Sequence, residues 1–275
     1  MLVFGALGSN PFMSRGDGTT GELGGEQVEG IRAVLELLRA RRRRVREIWI
    51  SRGEGRQEGS DPVNEIVKVA ESSRVSIKFV DRVALLHAAS TQSPQGVVAW
   101  AAPLESCEIS RLCEPSSQGD HPFLVVIDGV TDPRNLGAMA RSALASGATG
   151  MVISRHRSVN VTAAAAKAGA GAFEYIPVSV VPGIPAALTR LAEEGIWTVG
   201  LVPDAQLSIY DVELWDGPVA LVLGSEGKGL SRLAEKRCDL LARIPQSGPL
   251  DSLNVAAAGA VACFEVARRR SSAGA

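Results

Sequence analysis

The stretch FLVVIDGVTDPRNLGAMAR, residues 123–141, decides the fold. Its first five residues form a continuous apolar run that is typical of a strand buried on both faces, and a helix is predicted over 136–146. The alternation continues to the C-terminus, with strands predicted at 150–154, 176–178, 196–201, 219–223 and 240–244 and a long helix over 252–270. This order predicts an α/β fold with a mainly parallel sheet and with ligands at the carboxyl ends of its strands.

A smaller α/β unit is predicted ahead of this one. Apolar residues at helical spacing begin at Gly30, strands are predicted at 47–50, 75–80 and 95–101, and helices lie between them at 61–71, with Asp61 as cap, and at 84–88. We therefore divide the chain into four parts. These are a flexible, Gly-rich and polar extension at 1–29, a first domain at 30–103, a linker at 104–122 and a second domain at 123–275.

The composition is that of a globular protein and indicates no partner by itself. Hydrophobic residues make up 45% of the chain, and 29 Lys and Arg nearly balance 30 Asp and Glu. Aromatic residues make up only 4%, which argues against an RNA-recognition sheet built on stacking side chains. The sequence predicts neither a transmembrane segment nor an export signal, so we expect a cytoplasmic protein. Because the four cysteines and three histidines lack metal-ligand spacing, no metal site is expected.

Three loops that follow predicted strands carry the candidate chemistry. The first contains Asn135, a candidate helix cap, and Arg141, one and a half turns into the helix. The second spans 223–230, and the third spans 244–255 and ends at the last helix, which Ser252 or Asn254 would cap. A capped helix with a solvated arginine explains the first loop equally well on local grounds. It does not explain why three loops of permissive glycines and polar residues follow strands of one sheet.

The second loop excludes several common sites. A phosphate-binding P-loop needs Ser or Thr after its lysine, but Gly229 follows Lys228. A nucleophile elbow needs one residue between its glycine and its serine, whereas Gly224 and Ser225 are adjacent. The turn after the first strand of the second domain also lacks the glycine fingerprint of dinucleotide-binding folds.

Together and in order, the three loops resemble the signature motifs of the SpoU/TrmH family of RNA 2'-O-ribose methyltransferases, which use S-adenosyl-L-methionine (AdoMet). The matching residues are Asn135-Leu136-Gly137-Ala138 with Arg141, then 221–230, then Ile244-Pro245 with Ser252-Leu253-Asn254-Val255. Residues 30–34 and 95–99 resemble, more loosely, the L30e-like substrate-binding domain of the branch that methylates large-subunit rRNA.

The resemblance implies a trefoil-knotted SPOUT catalytic domain, an exception to the rule that chains do not thread loops, and a two-fold homodimer. It implies methyl transfer from AdoMet to a ribose 2'-hydroxyl, most directly of a guanosine in the peptidyl-transferase region of 23S rRNA. The implied cofactor-binding residues are Leu223, Gly224, Ile244, Pro245, Leu253 and Asn254.

The same resemblance implies the catalytic residues Asn135, Arg141, Glu226 and Asn254. A ribose hydroxyl is a poor nucleophile. Methyl transfer to it therefore needs the hydroxyl to lie in line with the methyl group and to lose its proton near the transition state. Because a guanidinium group keeps its proton in proteins, we expect Arg141 to orient the ribose phosphate and to stabilise a developing alkoxide rather than to act as a base. Glu226 and Asn254 are expected to fix Arg141 and the substrate.

Two departures from the family pattern bear on the substrate. Ala256 stands where a second serine is frequent, and Arg32 stands where the rRNA branch often has histidine. The run Arg41, Arg42, Arg43 and Arg44 is a candidate RNA-binding patch, with a solvated helix end as the alternative. Methylation of another rRNA site, including one of the antibiotic-resistance type, methylation of tRNA, and a non-catalytic RNA-binding factor for ribosome assembly remain open alternatives.

Overall fold

The computed structural model describes residues 23–52, 62–116, 119–155, 159–249 and 252–273, which form two units. The first unit contains β1 (Gln27–Glu29), α1 (Ile31–Ala40), β2 (Val45–Ser51), α2 (Pro62–Ser72), β3 (Ser76–Val80), α3 (Arg82–Ala88) and β4 (Val97–Ala101). The second contains α4 (Ile109–Leu112), β5 (Phe123–Ile127), α5 (Pro133–Ala145), β6 (Gly150–Ser154), α6 (Ala163–Ala168), β7 (Val178–Val181), α7 (Ile184–Glu193), β8 (Trp197–Leu201), β9 (Leu207–Ser208), β10 (Val219–Leu223), α8 (Arg232–Glu235), β11 (Leu240–Arg243) and α9 (Val255–Ala273). Among the helices of these ranges, none has the length and apolar character to span a membrane.

The second unit is built on a seven-stranded sheet with the order β7-β6-β5-β10-β8-β11-β9, in which every neighbouring pair is parallel. Alternate residues of β5 enter two cores, with Val125 packing on the side of α5, α6 and α9 and Val126 on the side of α4, α7 and α8. Burial on both faces is the reason why this strand has no polar residue. The predicted mainly parallel sheet is confirmed.

The order of the strands brings the carboxyl ends of four of them together at one edge of the sheet. From β5 the chain moves outward to β6 and β7, then crosses to β8 on the far side of β10. The carboxyl ends of β5, β10, β8 and β11 therefore lie side by side, and the order reverses between them. Ligands of open α/β sheets bind at such a switch point.

The first unit is a four-stranded mixed sheet with the order β1-β4-β2-β3. One face packs against α1 and α2 through buried residues such as Ile48, Ile50 and Ala99. Gln95 fixes the start of α1, because its side-chain Oε1 accepts the N–H of Ile31 at 3.1 Å. That bond gives the stretch 95–99 a structural role in this chain.

The predicted flexible extension is wrong for residues 23–29. Residues 27–29 form β1, which pairs antiparallel with β4, and Leu23 is buried in the core of the second unit. The carboxylate of Glu29 is buried and accepts the backbone N–H of Ser90 at 2.5 Å. A three-residue strand has too few positions to show a period, so its partner strand decides its structure. Residues 1–22 and the predicted cap Asp61 lie outside the described residues.

The predicted linker 104–122 is also packed where it is described. Leu104 is buried and exchanges backbone hydrogen bonds with the segment around Leu23, and the N–H of Cys107 reaches the carbonyl of Val178 on β7. The segment also forms α4, whose buried residues meet α7, β6 and β7. Its apolar residues are too far apart in sequence to give a period, so only the neighbouring sheet reveals their role.

The strand predicted at 176–178 begins two residues later, as β7. The N–H of Ile176 still bonds to the carbonyl of Ala172, four residues back at the end of a helical turn, and Pro177 has no N–H to donate to a sheet. Local backbone chemistry therefore delays the strand.

A buried ion pair joins the two units. Arg43 donates Nε to Glu174 at 3.0 Å and a terminal nitrogen to the same carboxylate at 2.6 Å, and the two side chains are 5% and 4% exposed. Arg43 also donates to the carbonyls of Gly25 and Ala102 at 2.7 and 2.6 Å. Around this pair, Tyr175 bonds to Glu36 at 2.7 Å, so α1 of the first unit lies against the 3-10 turn Ala172–Glu174.

Candidate active site

A cavity of about 590 Å³ opens at the carboxyl ends of β8, β10 and β11. Apolar side chains, including Leu201, Leu223 and Ile244, form part of its wall, and the polar residues Gln246 and Ser252 lie among them. A pocket of this size and mixed character is typical of sites for small molecules and cofactors.

The loop after β10 is a tight turn that only glycine permits. Ser225 and Gly229 exchange two backbone hydrogen bonds, at 2.9 and 3.0 Å, which fold the loop back on itself. A Cβ atom at Gly224 would lie 2.0 Å from the carbonyl carbon of Gly229, and Gly227 has φ +78°. The glycines therefore shape the cavity wall through close backbone approach.

The three loops meet in a hydrogen-bonded network around Asn135. Its Nδ2 donates to Oε1 of Glu226, and its Oδ1 accepts from Nδ2 of Asn254 at 3.2 Å. Asn254 in turn caps α9, because its Oδ1 accepts the N–H groups of Ala256 and Ala257. The amide of Asn135 is thus held on both sides, next to two residues that line the cavity.

Asn135 is not the cap of α5. Asp132 fills that position, with its Oδ1 accepting the N–H of Arg134 at 2.8 Å, and Pro133 begins the helix. This frees the Asn135 side chain for the network. Gly137, on the same helix, is required for packing, because a Cβ there would lie 2.3 Å from the carbonyl oxygen of Ala165 on α6.

Arg141 does not join this network. It is exposed on α5, six residues beyond Asn135, which corresponds to about 9 Å along the axis and a different side of the helix. In the described chain Glu226 and Asn254 both bond to Asn135, and the expectation that they also fix Arg141 stays a prediction.

Most of the predicted cofactor residues line the cavity. Its lining includes Leu223, Gly224, Ile244, Leu253 and Asn254, whereas Pro245 lies outside it. Sequence reasoning missed Leu201, the last residue of β8, and the residues Val202, Pro203 and Gln246 that follow β8 and β11. These residues share a position at the carboxyl end of a strand. That position identifies a site residue only once the parallel order of the strands is known, and this order is a tertiary feature.

Asp128 is a further residue whose role sequence reasoning missed. Its backbone N–H donates to the carbonyl of Leu223, and its Oδ2 accepts the N–H of Ser231, each at 2.8 Å. Asp128 therefore connects the loop after β5 to both ends of the loop after β10.

The arginine run does not act as one patch. Arg43 is withdrawn into the buried ion pair with Glu174, so its prediction as an RNA-binding residue is wrong. Arg41, Arg42 and Arg44 are exposed, which is compatible with the predicted contact to phosphates. In the described residues no group of three or more His, Cys, Asp and Glu side chains is arranged to hold a metal ion.

The two departures from the family pattern lie in different surroundings. Arg32 is exposed on α1 of the first unit. Ala256 is buried in the first turn of α9, and its backbone N–H donates to the side-chain Oδ1 of Asn254 at 3.0 Å. Ala256 lies outside the cavity lining.

Comparisons with known proteins agree with this site. Residues 122–264 match the model of the SpoU rRNA Methylase family, and residues 27–107 match a domain described as RNA 2'-O ribose methyltransferase substrate binding. The chain is 37% identical over 245 residues to the 23S rRNA (guanosine-2'-O-)-methyltransferase RlmB of Shewanella oneidensis, covering 89% of this chain and 98% of that protein. The RlmB of Escherichia coli is 35% identical, with 90% and 99% covered.

The fold is shared with a solved structure. The SpoU methyltransferase AviRb of Streptomyces viridochromogenes, in complex with AdoMet, aligns with a TM-score of 0.72, 23% identity and 90% of each chain covered. The agreement in architecture extends over both units. The chain therefore belongs to the SpoU rRNA Methylase family.

Proposed function

We propose that this protein transfers a methyl group from AdoMet to the 2'-hydroxyl of a guanosine in 23S rRNA, in the peptidyl-transferase region. The observation that carries the proposal is the network in which Glu226 and Asn254, from two loops of the cavity, hold the amide of Asn135. The RlmB proteins that resemble this chain over nine-tenths of its length are named for this reaction.

The cavity fits AdoMet by size and chemistry. Leu223, Ile244 and Leu253 offer apolar surface to a flat adenine ring, and backbone groups around Gly224 and polar side chains such as Gln246 offer hydrogen bonds to its polar parts. When bound, AdoMet supplies an electrophilic sulfonium methyl group. Among the described residues that line the cavity, Glu226 is the one that carries a carboxylate.

The chain's own residues prepare the acceptor. The bonds to Glu226 and Asn254 orient the Asn135 amide. Its Oδ1 keeps a second lone pair, which can accept a hydrogen bond from the ribose hydroxyl. Such a bond fixes the direction of the hydroxyl oxygen towards the methyl group. Arg141 supplies a permanent positive charge that holds the neighbouring phosphate and stabilises negative charge on the oxygen.

A homodimer completes this arrangement in our proposal. Val261 and Phe264 lie exposed on α9 with Ala257 one turn before them, and Phe264 is 52% exposed. An apolar stripe on a helix that also packs against α5 is suited to a two-fold contact with a second copy. A second copy would bring its own groups to the exposed Arg141. Phe264→Glu is expected to give a monomer in sedimentation experiments and to reduce methyl transfer.

We further propose that the first unit is the L30e-like RNA-binding domain, that the catalytic unit carries the trefoil knot, and that the enzyme works in the cytoplasm, where ribosomal RNA is processed. The exposed Arg41, Arg42 and Arg44 support the first of these through their attraction to phosphate.

The test uses tritiated AdoMet and unmodified 23S rRNA, with the methylated ribose mapped by its resistance to alkaline hydrolysis. We expect one protected guanosine in the peptidyl-transferase loop. Asn135→Ala and Arg141→Ala are expected to reduce the single-turnover rate by about 10²-fold or more, as for loss of one pre-organised polar or charged group that acts on the transition state. Glu226→Gln is expected to have a smaller effect, because glutamine still accepts the Asn135 N–H.

Arg190→Ala, a change of an exposed arginine on α7, is the matched control and is expected to retain the rate. AdoMet affinity, measured by calorimetry, separates loss of chemistry from loss of the pocket. Methylation at a different nucleotide would support the proposed reaction and reject the proposed target guanosine. AdoMet binding without transfer to 23S rRNA, tRNA or ribosomal particles would reject the enzymatic proposal and favour a binding factor.

A further inference from the structure

The sheet of the first unit has a second face that its helices leave partly open. Side chains alternate along β2, so Ile48 and Ile50 enter the core under α1 and α2 while Trp49 points to the opposite side. The register pairs Glu47 with Trp100 on β4 and Trp49 with Lys78 on β3, which places these side chains on that opposite side too. We call this surface, made of Arg46, Glu47, Trp49, Ser76, Lys78 and Trp100, the tryptophan face.

Two indole rings meet on the tryptophan face. Trp49 and Trp100 pack edge to face, with ring centroids 5.2 Å apart and an angle of 68° between their planes. The ammonium group of Lys78 lies 5.6 Å from the centroid of Trp49 and bonds to Glu47 at 2.5 Å. Lys78 therefore lies against one ring of the pair, and Trp100, like Trp49, remains partly exposed.

A shallow hollow of about 430 Å³ lies over this surface. Arg46, Glu47, Ser76, Lys78 and Trp100 line it. Arg46 reaches the hollow because it is the extra residue of a β-bulge, where the register shifts between Val45 and Glu47. Bulges of this kind redirect a side chain out of the regular alternation. The result is a guanidinium group and an ammonium group beside an indole ring.

The charge around the hollow is positive. Arg42 and Arg44, just before β2, and Arg46, within it, are exposed, whereas Arg43 is neutralised by Glu174. Within the hollow, Glu47 is already paired with Lys78, so it does not offset the arginines. A ligand with a flat ring and a negative charge complements this combination of indole and guanidinium groups.

We propose that the tryptophan face binds one unstacked nucleotide of the RNA substrate, with its base against Trp100 and its phosphates on Arg46 and Arg44. The proposal rests on the RNA methyltransferase function above and gives its first unit a defined contact. A base inside a duplex is already stacked on its neighbours, so this surface selects a single-stranded loop or bulge. The composition, with few aromatic residues, argued against such a surface, but two tryptophans suffice when the fold brings them together.

The experiment measures binding of the full-length protein to a fluorescent single-stranded oligoribonucleotide and to a duplex of the same length. Trp100→Leu keeps apolar bulk and loses the ring, and we expect single-strand affinity to fall about 5- to 150-fold, as for loss of one stacked base. Trp100→Phe keeps a ring and is expected to stay within about 3-fold of the wild type. Arg46→Gln is expected to lower the salt-dependence slope by about one unit.

Trp197→Leu is the matched control, because Trp197 is 50% exposed on β8 of the catalytic unit. Unchanged AdoMet affinity and circular dichroism in each variant establish that the fold is intact. Methyl transfer to 23S rRNA by Trp100→Leu is expected with a raised KM and a kcat near the wild-type value.

Equal affinities of Trp100→Leu and wild type for the single strand would overturn the proposal, as would equal wild-type affinity for single strand and duplex. A change in oligomeric state on Trp100→Leu would also overturn it, because it would identify the face as a contact between copies. If the wild-type protein methylates no RNA but its single-strand binding still depends on the ring at position 100, the proposed function fails and the nucleotide site stands.

Discussion

Replacing Arg43 tests whether the arginine run serves RNA or the junction of the two units. The side chains of Arg43 and Glu174 are 5% and 4% exposed and share two hydrogen bonds, and Arg43 also satisfies the carbonyls of Gly25 and Ala102. Arg43→Met leaves a buried carboxylate without its cation. Loss of one partner of a buried pair costs about 3–5 kcal/mol, so we expect a reduction of this size in the free energy of unfolding.

The double variant Arg43→Met with Glu174→Leu separates the pair from its surroundings. Removing both charges leaves only the two carbonyls without their donor, which costs about 1–3 kcal/mol for each carbonyl that stays unsatisfied. The double variant is therefore expected to be more stable than Arg43→Met alone, which leaves the same two carbonyls and also the buried carboxylate of Glu174 without a partner. Urea denaturation, followed by circular dichroism and by tryptophan fluorescence, measures these differences, since Trp49 and Trp100 report on one unit and Trp197 and Trp215 on the other.

Arg42→Met is the matched control, because Arg42 is exposed and adjacent in sequence. We expect it to change stability by less than about 0.5 kcal/mol and to weaken RNA binding at low salt. Equal stability of the Arg43→Met and Arg42→Met proteins would refute the reasoning. So would a strictly additive double variant, since it would mean that the two buried charges do not interact.

Three further predictions concern packing and titration. Arg270→Met is expected to lower stability by about 2–4 kcal/mol in thermal melts, because Arg270 on α9 donates to four backbone carbonyls in the segments before β5 and β10. Arg190→Met, on an exposed side chain of α7, is expected to have a much smaller effect. Gly137→Ala forces α5 away from α6 and is expected to lower the free energy of unfolding by about 1–3 kcal/mol in denaturation experiments. Gly217→Ala, whose Cβ would have its nearest contact at 3.8 Å, should leave it unchanged, and equal losses for the two variants would contradict this account. Burial raises the pKa of the Cys107 thiol to about 11, so alkylation at pH 8.5 should be about 100-fold slower in the folded than in the urea-unfolded protein by mass spectrometry. Because that pKa is raised on folding, the stabilisation by the neutral thiol is complete below about pH 9 and is lost as the pH rises through about 11. Equal alkylation rates in the folded and the unfolded protein would disprove the burial of this thiol.

Most of the second unit could be predicted from sequence because its signals are local. The apolar runs at Phe123–Ile127, Gly150–Ser154 and Val219–Leu223 give the strands with their observed bounds, since a strand buried on both faces contains little else. The polar, Gly-rich loops after the first and third of these strands, and after the strand predicted at 240–244, marked the functional edge. Most of the predicted cofactor residues line one cavity for the same reason, because parallel strands end at a common edge.

What only the tertiary structure decided are contacts between residues distant in sequence. Four successive arginines are chemically equivalent in the sequence, and only the docking of Glu174, 131 residues away, withdraws Arg43 from them. Asn135 is likewise 91 residues from Glu226 and 119 from Asn254, so no local pattern shows that these two residues orient its amide. Trp49 and Trp100 become neighbours only through the register of β2 and β4. Sequence patterns report periodicity and backbone preference, whereas pairing of side chains depends on the packing of whole elements.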